Sequence, residues 1–252
     1  MRTMSRRDFM DSSAKLLAAA PLAGALGVLP GCPDAGPPNI LILLVDQMRT
    51  PPEGYADDEG TAPGLREILG FQPVSENNAY AQYFPGLMRL RRNAVVMRKH
   101  YTASAACVPS RAAIMTGQYP CTTGVTQTDG NYKSVRDVPF LDPAGTPTIG
   151  DWFRAAGYST HYFGKWHVSE PEAPDFLDPW GFDDWDESAP EPHGGTASNL
   201  GVYRDIEFTD AIRGFFERKS GEKGRTPWLA VGSLVNPHDI SAYPINWQTP
   251  NN

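Results

Sequence analysis

The sequence predicts an α/β fold with a largely parallel sheet flanked by helices. Residues 39–45 (NILILLV) form a continuous apolar run, the pattern of a strand buried on both faces. Candidate strands alternate with candidate helices along the chain, as crossover connections between parallel strands require. A long amphipathic segment at 205–219 lies between two such strands.

Taken in order, residues 50–78 are polar and rich in Pro and Gly, with a short helical stretch around 65–69. Residues 85–93 read as a helix and 94–97 (AVVM) as a second strand. Residues 110–116 read as a helix ended by Gly117. Residues 148–156 read as another, with Pro147 at its start and Gly157 after it. Residues 158–162 are a strand. Residues 171–201 are a long irregular insertion whose Trp- and Asp-rich part, 178–187, reads as a solvated loop or the rim of a substrate mouth. In the helix at 205–219, Ile206, Phe208, Ile212, Phe215 and Phe216 are expected on one side. Residues 228–235 are the last strand, and no internal repeat is visible.

Composition is that of an ordinary globular protein, with 40% hydrophobic and 20% charged residues among 252. The net charge of −7 argues against a nucleic-acid binder, which would carry a basic patch. Three cysteines do not make a disulfide framework.

The N-terminus reads as an address. Ser5-Arg6-Arg7-Asp8-Phe9-Met10 has the form of a twin-arginine export motif, and the apolar stretch 16–29, broken by Pro21, is too short to span a membrane. The alternative is an amphipathic N-terminal helix of a cytosolic protein. Leu29-Pro30-Gly31-Cys32 is similar to a lipoprotein processing box, although Pro30 is unusual there. Lipidation at Cys32, anchoring the chain to a membrane face, and plain cleavage nearby both stay open. Residues 1–32 are thus expected to be a signal peptide, 33–38 a tether and 39–252 the functional domain. The destination is the periplasm or the outer side of a membrane, by way of the twin-arginine translocase.

Chemistry concentrates at Cys107-Val108-Pro109-Ser110-Arg111, followed by Thr116-Gly117. Pro109 suits a helix's first turn, which places Cys107 just ahead of a helix N-terminus. Unpaired N–H groups and the helix dipole favour an anion there, and Arg111 adds a positive fork for an oxyanion. A nucleophile at such a place suits sulfuryl or phosphoryl transfer. The alternative for Cys107 is a buried structural cysteine, disulfide-linked to Cys121 after export; for Cys121 itself the structural reading is preferred.

Asp46 follows the first apolar run, at the strand edge where open α/β sheets bind ligands. A carboxylate there suits a hard divalent cation, while an Asp that ends a strand or starts a turn is the plainer reading. Lys165 and His167 follow a strand, and i and i+2 on an extended segment share a face, so both are expected in one pocket. His238, in Asn236-Pro237-His238-Asp239, follows the last strand. His100, His161 and His193 read as surface or satisfied core residues.

The Cys-x-Pro-Ser-Arg motif resembles the first signature of the type I sulfatases, in the alkaline phosphatase superfamily. Gly157 to His167, with its Gly-Lys-x-His core, resembles the second. The resemblance implies an alkaline-phosphatase-like fold and hydrolysis of an organic sulfate monoester, carried by a small molecule or a carbohydrate. It implies that a formylglycine-generating enzyme converts Cys107 to formylglycine before export. The aldehyde's hydrate would attack sulfur while a metal, Arg111 and Lys165 hold the oxyanions. His238 would contact the ester and protonate the leaving alcohol, and His167 would take the proton when the aldehyde re-forms. Asp46, residue 107 as formylglycine and, doubtfully, Gln47 would bind the metal: calcium first, magnesium or manganese otherwise.

Many members have a second Asp where this chain has Gln47. The Asp46-Gln47-Met48-Arg49 run resembles the choline-sulfatase and phosphonate monoester hydrolase branch. A phosphonate monoester or phosphodiester hydrolase is therefore one rival, and a non-catalytic exported lipoprotein with a sulfatase-like binding pocket is another. Family members extend well past this length, with further metal ligands and a lysine that residues 240–252 do not supply. The expectation is a truncated chain, its C-terminal part missing, with weak or no turnover of its own.

Overall fold

In the computed structural model the described residues are 36–48, 63–97, 99–129, 135–190, 200–222 and 226–241. The export motif, the apolar stretch 16–29, Cys32, residues 49–62 and His193 lie outside them. In chain order the elements are β1 (Ile40–Val45), α1 (Pro63–Leu69), α2 (Pro85–Leu90), α3 (Cys107–Thr116), α4 (Pro120–Thr123), α5 (Ile149–Ala155), β2 (Ser159–Gly164), α6 (Gly201–Gly221) and β3 (Trp228–Leu234). Among the described residues no helix is long and apolar enough to cross a membrane.

The chain divides into two compact units, residues 48–101 and the remainder. In the smaller unit, the Arg91 guanidinium donates to the carbonyls of Glu67 and Ile68 at 2.7 Å each and also to that of Gln72, so it caps the C-terminal end of α1. Residues 94–97 form no strand. Ala94 is extended, but Val95 and Met97 are 93% and 66% exposed, and no strand among the described residues pairs with them. An apolar, β-branched run signals a strand only where a partner completes its ladder.

In the larger unit the three strands form one parallel sheet in the order β1-β3-β2. Ile40 to Val45 pair with Leu229 to Leu234, and Ser159 to Gly164 pair with Trp228 to Ser233. Central β3 is buried nearly throughout, as suits its mostly apolar sequence. Alternate side chains go to opposite faces. Ala230 and Phe163 pack with Ile212 and Phe215 of α6, while Leu229, Val231 and Tyr162 join Val108, Ala112 and Met115 of α3. Full burial of Phe208 and Phe215 contributes about 1.5–3 kcal/mol each.

The seam of α6 is narrower than the sequence suggests. Phe208, Ile212 and Phe215 are buried at helical spacing, but Ile206 is 64% exposed and Phe216 lies at the margin. Helix α5 starts after Thr148, whose side chain caps Gly150 and Asp151 while Asp151 returns a bond to the Thr148 N–H.

The Trp- and Asp-rich segment is core, not a solvated loop. Leu177, Trp180, Phe182 and Trp185 are buried and pack with Tyr162 and Trp166. Its acids face outward, where Asp178 and Asp183 both bind Arg154. Five acids among the ten residues 178–187 hid the apolar pattern.

Candidate active site

The site gathers at the C-terminal edge of the parallel sheet, beside the start of α3. Asp46 extends the ladder one residue beyond β1, its N–H donating to the Leu234 carbonyl at 3.1 Å. Lys165 follows β2, and His238 lies just past β3. Cys107 is the first residue of α3, three residues earlier than the sequence indicates, with Ala106 extended before it. At that position the first N–H groups have no intrahelical acceptor, and Pro109 takes the place of one of them. Gly117 ends the helix at φ 67.

Ligating atoms of Asp46, Cys107 and His238 all lie within 4.8 Å of one another. The Cys107 thiol and His238 ring are hydrogen-bonded. That bond lowers the thiol from its ordinary range, against burial and the Asp46 charge, and raises the imidazole, against burial. Burial pushes the Asp46 carboxyl up, but the Arg111 and Lys165 cations outweigh it and hold it below the ordinary range. Lys165 is fully buried, its Nζ 2.6 Å from Asp46 Oδ2. The contact is a charge pair, because neither atom has an aligned hydrogen-bond partner among the described residues.

Arg111 is not a free fork. Its Nη1 donates to the Lys165 carbonyl at 2.8 Å and to Ser233 Oγ at 3.0 Å, and its Nη2 faces Asp46 at 3.4 Å. It braces the loop after β2 and neutralises Asp46. The positive fork for an oxyanion that the sequence suggests would have to compete with those contacts.

That loop is held from several sides. Ser233 O accepts from Lys165 N, Tyr162 donates to the Lys165 carbonyl, Trp185 donates to the Gly164 carbonyl, and Ser188 accepts from Gly164 N. Gly164 is obligatory: its φ is 94, and a Cβ would meet Ser233 O at 2.1 Å.

The strand ends at Gly164, and His167 has φ 51, so Lys165 and His167 do not share a face as i and i+2 of an extended chain. Lys165 goes to Asp46, whereas buried His167 places Nε2 2.7 Å from Asp129 Oδ1. Asp129 and Asp239, which lies 2.9 Å from His238 Nδ1, were not indicated by the sequence. Asp129 carries no motif signal, but an acid directly after a candidate catalytic histidine was visible at Asp239.

Gln47 is exposed at φ 59 on the turn after β1. Cys107 and Cys121 are both free, and Cys121 is exposed, so the disulfide and the buried structural role for Cys121 fall away. His161 is a core residue whose Nδ1 lies 2.9 Å from Asp184 Oδ2, while its buried Nε2 has no hydrogen-bond partner among the described residues, and His100 is exposed.

As a metal site the set is short. Asp46 is its one carboxylate and is already paired with two cations, whereas calcium takes six to eight oxygen ligands. Asp46 fits as one ligand; the described residues do not complete a shell.

The family model described as Sulfatase matches residues 38–251. The chain is 31% identical over 218 residues to N-acetylgalactosamine-6-sulfatase of Sus scrofa, covering 81% of this chain and 36% of that protein. It is 26% identical to the choline-sulfatase of Rhizobium meliloti strain 1021, covering 81% and 39%. The fold matches the crystal structure of a sulfatase from Pseudoalteromonas sp. with a TM-score of 0.51 and 18% identity, covering 92% of this chain and 48% of that one. The chain thus spans a little over a third of the curated relatives' length. Sulfatases generally use a metal ion and a formylglycine. Matched over nearly its whole length after residue 37, the chain belongs to the sulfatase family.

Proposed function

We propose that the full-length protein hydrolyses a sulfate ester, with residue 107 as nucleophile after conversion to formylglycine. The observation that carries this reading is the meeting of residue 107, Asp46 and His238 within 4.8 Å at the start of α3, with Lys165 buried beside them. A helix N-terminus and a buried ammonium favour a tetrahedral oxyanion at that place.

Formylglycine, when hydrated, supplies a geminal diol with one oxygen to attack sulfur and a second that carries a proton. Lys165 offers its ammonium to an oxyanion oxygen. His238, bonded to residue 107, is placed to hand a proton to the leaving alcohol. His167 takes the proton of the second hydroxyl, steadied by Asp129. Asp46 is the residue that would hold a divalent cation, with calcium the preferred ion. The rest of that shell is not among the described residues.

A sulfated carbohydrate is the substrate class we favour, supported by the N-acetylgalactosamine-6-sulfatase likeness. Export by the twin-arginine route, with formylglycine made beforehand, is supported by Ser5 to Met10. The test is a set of side-by-side rates for the full-length protein on a sulfated amino sugar, choline sulfate and a phosphonate monoester. Turnover of the sugar sulfate is expected to exceed the others. Faster phosphonate ester cleavage would overturn the sulfatase reading.

A further inference from the structure

Asp239 lies beside His238 in the short turn after β3 and is 1% exposed. Its Oδ2 accepts the N–H of Gly201, the first residue of α6, at 2.8 Å. Its Oδ1 lies 2.9 Å from His238 Nδ1. An ionised carboxylate only accepts, so Nδ1 carries the proton in that bond and Nε2 is the ring nitrogen left to meet residue 107.

We infer that Asp239 is a positioning residue that fixes the His238 imidazole, with Nε2 on residue 107, by tethering it to the N-terminus of α6. The inference rests on the proposed role of His238 as the group that protonates the leaving alcohol. Asp239 is anchored independently of the histidine, since the Gly201 N–H and the positive end of a 21-residue helix hold its charge in place. A carboxylate so held orients an imidazole and stabilises its protonated form, the arrangement of a nucleophile–histidine–acid relay.

The backbone around His238 is secured separately. Asp205, on the second turn of α6, accepts the N–H groups of Val235 at 2.6 Å and Asn236 at 2.9 Å. Gly201 sits so close that a Cβ there would meet the Asn236 side chain at 2.8 Å. Asp205 thus sets where the loop lies, and Asp239 sets how the ring is turned.

The dependence of rate on leaving group separates these roles. A sugar alcohol needs a proton to depart, whereas nitrophenolate leaves without one. In the full-length protein, Asp239→Asn is expected to slow sugar sulfate hydrolysis at least about 30-fold, part of the roughly 10²–10⁴-fold that general acid–base catalysis supplies. Hydrolysis of 4-nitrophenyl sulfate should stay within about 3-fold, since it needs no such acid. Asp205→Asn should lower thermal stability and leave the ratio of the two rates alone. Equal losses on both substrates, no loss on either, or the same change of ratio in Asp205→Asn would overturn the inference. Should Asp239→Asn not fold, or should the wild type turn over neither ester, the nitrogen NMR spectrum of His238 in the wild type decides. A protonated Nδ1 supports the tether and an unprotonated Nδ1 overturns it. Wild-type inactivity itself counts against the sulfatase reading.

Discussion

Lys165 Nζ stands 2.6 Å from Asp46 Oδ2, with the lysine fully buried. Two strands that are not neighbours in the sheet are joined by this pair, since β1 and β2 flank β3. Lys165→Met removes the shorter of the two cation contacts to Asp46, leaving Arg111 at 3.4 Å. Breaking a buried pair from one side costs about 3–5 kcal/mol, to be read from a denaturant midpoint. Loss of an oxyanion donor should cut kcat by about 10²–10³-fold. A variant of unchanged stability would show that the pair is not formed in solution.

Asp129 holds His167 through Nε2 at 2.7 Å, with both side chains mostly buried. Asp129→Asn keeps the shape but allows the amide to present a donor, which favours the wrong tautomer. The expected result is a fall in kcat of at least about tenfold with KM little changed. An unaltered kcat would remove His167 from the proton-transfer step.

Trp185 belongs to the core, donating to the Gly164 carbonyl at 2.9 Å while 2% exposed. Trp185→Ala should destabilise the fold by about 3–5 kcal/mol. A solvated loop would show an effect near zero in the same denaturation curve.

Asp184 accepts from His161 and pairs with Arg218, and the His161 bond first, then the charges, hold its carboxyl below the ordinary value of 3.8. A depressed folded value makes its contribution full above 3.8 and lost as pH falls through the lower folded value. For this partly exposed group that contribution is about 1 kcal/mol or less. Asp184→Asn should therefore lower Tm by no more than about 2–4 °C near neutral pH. The gap between variant and wild type should close in the acid range below 3.8; a gap constant with pH would contradict the assignment.

The sheet was legible because a run such as 39–45 has one stable environment, the middle of a parallel layer. The site was legible through Cys107, Asp46, Lys165 and His238, each at or just beyond an element boundary. Three features were not. Residues 94–97 carry strand chemistry, but pairing depends on what lies alongside. Trp180 and Trp185 are interleaved with acids that reach out to Arg154 and Arg218, so local polarity misled. Arg111 and His167 follow tertiary geometry: one turns inward to brace carbonyls, and the other leaves the strand's face through positive φ. Neither direction is encoded in spacing.

The central claim is that residue 107 acts as a formylglycine. The most direct test is mass spectrometry of the peptide carrying residue 107, from full-length protein of the native host that turns over a sulfate ester. An aldehyde in place of the thiol is the predicted result. An unmodified Cys107 in protein with full activity would contradict the account.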